Sequence, residues 1–254
     1  MKNLADPAFA LGLIDLTSLN DADTHGVIQQ LARDAVTPLG KVAALCVYPR
    51  FIGTAKVALG DQGAGIRVAT VANFPHGGEG AEGAAREVAA AVQMGADEVD
   101  VVFPWRALQR GKEQPGRDLV AACRAAVGDR LLKVIIESGC LETPQLIRSA
   151  SDIAIEGGAH FLKTSTGKVA VNATLQAAEI MLQAIRDSGR LVGFKAAGGI
   201  RTAADARAYL ELAQRIMGVA WVQPANFRFG ASGLLQDLLR EAGMGARPVP
   251  AASY

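Results

Sequence analysis

Eight short apolar runs alternate with longer, alanine-rich amphipathic segments along the whole chain, and this alternation restricts the fold more than any other feature. The runs are 11–17 (LGLIDLT), 42–48 (VAALCVY), 66–73 (IRVATVAN), 98–103 (EVDVVF), 131–137 (LLKVIIE), 160–165 (HFLKTS), 192–197 (VGFKAA) and a weaker one near 227–230 (FRFG). Each has the length of a buried strand. Between them lie helical stretches such as 80–94, 118–126, 144–156, 173–188 and 203–216. Thr143-Pro144 and Thr202 stand where N-caps belong, and Gly95, Gly157-Gly158 and Gly189 stand where helices should end. Repeated strand–helix units without a break in composition predict an α/β chain, a single (β/α)8 TIM barrel rather than a doubly wound sheet. A dinucleotide-binding sheet would want GxGxxG after an early strand, and Gly77-Gly78-Glu79-Gly80 lacks that spacing.

The length of 254 residues suits one such barrel. Half the residues are hydrophobic but only 5% aromatic, so the core is expected to be Ala, Val, Leu and Ile, as in helices packed on buried parallel strands. The barrel domain is expected over 1–243, followed by a mobile Pro/Gly/Ala-rich tail over 244–254 that ends in Tyr254. A net charge of +1 argues against nucleic-acid or membrane partners. Asp6, Pro7 and Asp15 interrupt the N-terminal segment where a signal peptide needs an apolar core, and no run approaches a membrane span. Cys46, Cys123 and Cys140 have neither CxxC spacing nor the density of a disulfide scaffold. A soluble, cytoplasmic protein is therefore expected.

Catalytic groups of a barrel sit at the C-terminal ends of its strands and face inward. Of eight lysines, Lys163 and Lys195 fall late in apolar strands, where burying a lysine is costly. Alternation puts Phe161 and Lys163 on one face, and likewise Gly193 and Lys195, so the two amines should enter adjacent positions of one pocket. Neighbouring cations disfavour each other's charge and desolvation acts the same way. One amine of the pair is thus expected to lose its proton near neutrality and attack a carbonyl. The competing reading is a pair of lysines snorkelling to the barrel rim. Lys133 lies early in its strand with Glu137 on the same face, which predicts an ion pair inside the barrel.

Asp100 interrupts an apolar strand and is either a proton shuttle or a salt-bridge partner that holds the lysines. Asp15 has a similar place on the first strand and a weaker claim. Small residues gather after the last three strands: Thr166-Gly167-Lys168, Gly198-Gly199 and Ser232-Gly233. Their backbone N–H groups before helix N-termini predict a phosphate site. His25, His76 and His160 are far apart and show no metal-ligand spacing, so a zinc-dependent reaction is not expected. Cys46, late in the second strand, reads as a buried thiol.

The segments ADEVDVVFPWRAL (96–108), KVIIESG (133–139), FLKTSTGK (161–168), VGFKAAGGIRT (192–202) and RFGAS (228–232), with LIDLTSLN, CVYPRF and VANFPHG, resemble deoxyribose-phosphate aldolase. The resemblance runs from about residue 11 to the end, in the longer form of the family that closes in Ser-Tyr, here Ser253-Tyr254. It implies reversible cleavage of 2-deoxy-D-ribose 5-phosphate to acetaldehyde and D-glyceraldehyde 3-phosphate. Lys163 would form the Schiff base, Lys195 would free its amine, Asp100 would relay protons, and Tyr254 would move the proton at the methyl carbon. No metal or organic cofactor is implied, because the protonated imine is the electron sink. A homodimer and a role in deoxynucleoside catabolism are likewise family expectations.

Three positions depart from the family pattern: Trp105 stands where many relatives have Tyr, Ala196 where they have Pro, and Gly233 where a second serine is usual. These changes bear on substrate preference rather than on the lysine pair. A Schiff-base aldolase with another or a non-phosphorylated acceptor, or a non-catalytic sugar-phosphate-binding barrel, are the alternatives.

Overall fold

A computed structural model describes residues 6–244. Eight parallel strands close a barrel: β1 (Ile14–Ser18), β2 (Ala44–Val47), β3 (Arg67–Ala72), β4 (Glu98–Val102), β5 (Leu131–Ile135), β6 (Phe161–Lys163), β7 (Gly193–Ala197) and β8 (Phe227–Ala231). Each pairs with its sequence neighbour, and β8 closes on β1 through Ile14↔Phe229 and Asp15↔Gly230. The predicted (β/α)8 barrel is the observed fold, and each predicted run supplies one strand. The tail expected over 244–254, Tyr254 included, lies outside the described residues apart from Met244.

Helices α1 (Pro7–Leu11), α2 (His25–Asp34), α3 (Ile52–Leu59), α4 (Ala81–Gln93), α5 (Trp105–Gln109), α6 (Gln114–Val127), α7 (Pro144–Glu156), α8 (Leu175–Ser188), α9 (Ala203–Met217) and α10 (Leu234–Glu241) complete the chain. Thr143 caps α7 through Leu146 N–H. Thr202 and Asp205 form a reciprocal capping box on α9. Gly189 ends α8 in the left-handed conformation at φ +64°.

Two departures have local causes. Leu11 was expected in the first strand but closes α1, because Asp6 accepts from Ala8 N–H and Pro7 presets the first helical turn. The run at 131–137 stops being a strand after Ile135, and Glu137 takes φ +54°. A short hairpin, Val36–Thr37 with Gly40–Lys41, lies between α2 and β2 and was not foreseen.

Alternation divides each strand between two environments. Val99, Val101, Leu132, Val134, Leu162, Phe194 and Phe227 are buried in the main apolar core. The intervening positions face the barrel axis, and there the chain places Asp15, Glu98, Asp100, Lys133, Lys163, Lys195 and Arg228, none more than 4% exposed. A smaller apolar group, Leu19, Cys46, Ala69 and Val71, is distinct from the main core, and Tyr48 and Phe74 pack against both. Its members share rows with the charged positions, since Val71 pairs with Asp100 and Cys46 with Thr17.

Two glycines make room for this interior. A Cβ on Gly193 would lie 2.4 Å from the Phe161 ring, and one on Gly230 would lie 3.0 Å from Lys195 Cε. Phe161 and Gly193 are register partners, so the ring lies over a strand that offers it no side chain. Gly193→Ala is expected to destabilise the fold by about 1–3 kcal/mol through overpacking. Phe161→Leu in the same chain should recover part of that loss, giving a non-additive cycle in urea unfolding. Strict additivity would show that the two positions do not share this space.

Candidate active site

Register brings the lysines together. Lys163 and Lys195 are Cα partners on β6 and β7, Lys195 pairs in turn with Arg228 on β8, and Asp100 pairs with Lys133 across β4 and β5. Because paired residues of parallel strands project to the same side, these groups converge on the barrel axis. Asp100 is their hub. Its Oδ2 accepts from Lys163 at 3.0 Å and from Lys195 at 2.8 Å, and its Oδ1 accepts from Lys133 at 2.7 Å.

Asp15 lies against Lys195. Its Oδ2 accepts from Lys195 Nζ at 2.6 Å and its Oδ1 from Arg228 at 2.6 Å, so both oxygens are engaged within the cluster. Lys133 does form an ion pair inside the barrel, but the expected partner, Glu137, is not the one it uses. Its Nζ lies 2.7 Å from Asp100, 3.6 Å from Asp15 and 2.5 Å from Glu98 Oε2, the last without hydrogen-bond alignment. Glu137 sits beyond the end of β5, where its positive φ turns the chain, and its Oε1 accepts from Thr166 N–H at 3.1 Å.

The electrostatics distinguish the partners of the cluster. Burial works against the Lys195 ammonium, but Asp100 and Asp15 outweigh it and hold this amine well above the usual lysine range. The pairing of Lys195 with two carboxylates thus favours its charged form. Lys133 is held up in the same way by Asp100 and Glu98 against the cost of burial. Burial also opposes the Asp100 carboxylate, and Lys133, Lys195 and Lys163 overcome it, leaving the group well below the usual carboxylate range. Asp15 is lowered for the same reason by Lys195, Arg228 and Lys133. Burial pushes the Cys46 thiol up, in keeping with a buried structural cysteine.

Above the cluster, the turns after β6, β7 and β8 open at the C-terminal end of the barrel. Thr164 and Ala197 are clipped together, Thr164 Oγ1 donating to Ala197 O at 3.1 Å and accepting from Ala197 N–H at 3.0 Å. Thr166 is buried and its Oγ1 accepts from Lys168 N–H at 3.0 Å, while the Lys168 side chain reaches the exposed surface. Gly167, Gly198 and Gly199 have φ of +81°, +84° and +86°, and Gly198 also lies so close to Asn172 that a Cβ would meet it at 2.7 Å. Around Gly233 a Cβ would meet nothing within 4 Å, so space is not the reason for the missing serine. Glu137 Oε2, Ser138 Oγ, Ser165 Oγ and Asn172 Oδ1 are buried at this end without a hydrogen-bond partner.

Glu98 and Arg228 escaped the reading of the sequence. Each is a charged residue within a strand but stands near its beginning, whereas Lys163 was singled out by lying late in its strand. Trp105, a departure from the family pattern, follows β4 with Arg106 stacked on its ring at 3.9 Å. Of the histidines, His25 opens α2 and His76 lies in a turn. His160 Nδ1 accepts from Leu132 N–H at 2.9 Å and pins β5 to the start of β6. Among the described residues no His, Cys, Asp and Glu group is arranged to hold a metal ion, and no helix is long and apolar enough to cross a membrane.

The charge pairing predicts how stability varies with pH. Asp15 and Asp100 are held below their ordinary value of 3.8. Their contribution is therefore complete above about pH 5 and is lost as pH falls below the unfolded value toward the folded ones. Lys133 and Lys195 are raised, so their contribution persists through neutral pH and is lost only in alkali above the ordinary 10.5. Asp100→Asn should cost about 3–5 kcal/mol in urea unfolding at pH 7, because it strands buried cations. That deficit should shrink at about pH 3, where proton binding to the unfolded carboxyl offsets part of the gain that the folded carboxylate gives the wild type. An equal deficit at both pH values would refute the pairing.

Residues 9–239 match the family model described as DeoC/LacD family aldolase. Among solved structures, one from Toxoplasma gondii ME49 with the provisional assignment deoxyribose-phosphate aldolase is 27% identical. It aligns over 93% of this chain and 96% of its own with a TM-score of 0.86. A Coccidioides immitis structure with the same provisional assignment is 28% identical over 93% of this chain and 87% of its own, with a TM-score of 0.80. The tetrameric deoxyribose phosphate aldolase of Aeropyrum pernix, 22% identical over 93% of this chain and 92% of its own, shares the fold at a TM-score of 0.72. With its closed barrel and a family match over nearly its whole length, the chain belongs to the DeoC/LacD aldolase family.

Proposed function

We propose that the protein cleaves 2-deoxy-D-ribose 5-phosphate to acetaldehyde and D-glyceraldehyde 3-phosphate, reversibly, through a Schiff base on Lys163. The observation that carries this reading is the single oxygen, Asp100 Oδ2, bonded to both Lys163 and Lys195. The cluster holds four cations, Lys133, Lys163, Lys195 and Arg228, against three carboxylates, Asp15, Glu98 and Asp100. Lys163 has the fewest partners, one shared oxygen, so its neutral form costs the cluster least.

In the cleavage direction, the Lys163 amine adds to the C1 aldehyde and forms a carbinolamine. Loss of water then gives the iminium. The C3 hydroxyl loses its proton as the C2–C3 bond breaks, and its electrons pass into the iminium to give an enamine. Protonation at C2 and hydrolysis release acetaldehyde and return the free amine. Asp100 lies between the Lys163 nitrogen and the Lys195 ammonium and is assigned the proton relay, with Lys195 as proton source. The apolar group of Leu19, Cys46, Val71 and Phe74 is suited to the two-carbon fragment. Asp15 is assigned to holding Lys195 rather than to touching substrate. Tyr254 is given the proton transfer at the methyl carbon on resemblance alone.

The phosphate is assigned to Thr166, Gly167 and Lys168, Gly198 and Gly199, and Ser232 and Gly233, whose turns lead toward α8, α9 and α10. The open space at Gly233 favours a second reading, an aldolase with a wider choice of acceptor.

Borohydride reduction with acetaldehyde, followed by peptide mass mapping, should place an ethyl group on Lys163. No adduct, or one on Lys195 alone, would overturn the reading. Lys168→Ala should lower kcat/KM for the phosphorylated sugar by about tenfold, the scale of one charge-assisted contact, and leave the unphosphorylated sugar unaffected. Equal losses on both sugars would remove Lys168 from the phosphate site.

A further inference from the structure

Below Lys163 the charges continue toward the opposite end of the barrel. Arg228 lines a cavity of about 590 Å³ together with Gly12, Ala43, Arg67 and Leu131, residues at or just before strand beginnings. Its guanidinium donates to Asp15 Oδ1 at 2.6 Å and to Glu98 Oε1 at 3.1 Å. The other oxygen of each carboxylate meets a lysine, Asp15 Oδ2 with Lys195 at 2.6 Å and Glu98 Oε2 with Lys133 at 2.5 Å. Both lysines bond Asp100, Lys195 at 2.8 Å and Lys133 at 2.7 Å. The contacts close into a ring: Arg228, Asp15, Lys195, Asp100, Lys133 and Glu98. Cations and carboxylates alternate around it, three of each.

We propose that Arg228 and Glu98, at the far side of this ring, are positioning residues that make Lys163 the amine that gives up its proton. The inference rests on the Schiff-base reading of Lys163. The closed ring is neutral, and each of its members has at least two partners of opposite sign. Lys163 is the seventh charge, and it finds only an oxygen that Lys195 already occupies. As an ammonium it would leave a fully buried cluster with one uncompensated cation, where water does not screen it. Two further titratable groups act on Lys163 from neighbouring elements. Cys46 on β2 is a thiol pushed up by burial, and Glu137 beyond β5 is a carboxyl pushed up by burial against its bond to Thr166. Neither belongs to the ring, and both are the same in every ring variant, so a difference between variants reports on the ring itself.

Opposite substitutions should therefore move Lys163 in opposite directions. Arg228→Gln removes a cation from the ring and leaves it with a surplus carboxylate, so Lys163 keeps its proton to higher pH. Glu98→Gln removes an anion, so Lys163 loses its proton at lower pH. Arg228→Lys keeps the charge and should stay near the wild type.

The test uses the full chain, with competitive trace labelling by acetic anhydride from about pH 5 to 10, mass-mapped at Lys163 and read beside acetaldehyde–borohydride trapping. In the wild type the labelling midpoint of Lys163 should lie well below that of exposed Lys168 in the same digest. Arg228→Gln should raise the midpoint by about half a pH unit or more and Glu98→Gln should lower it by a similar amount. A wild-type midpoint equal to that of Lys168 overturns the proposal without any variant. So does a folded Glu98→Gln or Arg228→Gln protein with an unmoved midpoint, or shifts of the same sign in both. Absence of the acetaldehyde adduct in the wild type would instead sink the Schiff-base reading, while the labelling still reports on the ring.

Discussion

Asp100 holds the interior of this barrel together. With two oxygens it binds three lysines drawn from β5, β6 and β7, and each of those strands delivers its lysine to the barrel axis. Without this carboxylate, three ammonium groups would crowd a space from which water is excluded. With it, Lys133 and Lys195 each meet at least two carboxylates, and Lys163 is left with a half share of one oxygen. The geometry of the pocket and the inequality between its two upper lysines have the same origin.

Burying so many charges does not make the fold more stable than an apolar interior would. Replacing a buried ionic network by well-packed hydrophobic side chains is commonly neutral or stabilising, whereas removing one member is costly. Stability must come from the outer layer, where Val99, Val101, Leu132, Val134, Leu162 and Phe194 pack between the strands and the helices. Within the barrel the packing is specific at a few points: Phe161 over Gly193, and Lys195 along Gly230. A side chain at either glycine would press on the lysine strands, so those two absences help to set where Lys163 and Lys195 stand.

Much of this was legible in the sequence because a buried strand announces itself by its apolar run, and a charge within such a run announces a reason to be there. Lys163, Lys195 and Asp100 were found on that ground. Arg228 escaped because its apolar run was weak, and both it and Glu98 because a charge near a strand start is far from the end where catalytic groups are expected. The partner of Lys133 was misjudged for a different reason. Spacing along one strand suggested Glu137, but closure of the barrel brought Asp100 and Glu98 across from β4, and a positive φ turned Glu137 away. Pairings across strands depend on register, which one strand's sequence does not carry. The end of α1 was lost to the first strand because Leu11 fits an apolar run as well as a capped helix.

The two ends of the site are built differently, and this bears on how the chain departs from its relatives. The charged groups of the cluster stand on strands locked by backbone ladders and by the ring of charges, so their geometry is fixed by the barrel as a whole. The groups assigned to the phosphate stand on turns, where Gly167, Gly198 and Gly199 set the backbone and side chains can change without disturbing the ladder. Trp105 and Gly233 also lie beyond strand ends. Gly233, with open space around it, can differ from the family pattern at no cost to the lysine cluster. Ala196 is the exception in position, since it lies within β7, but its neighbour in the chain, Lys195, keeps all its partners. On this construction the turns can change while the lysine cluster around Asp100 stays in place.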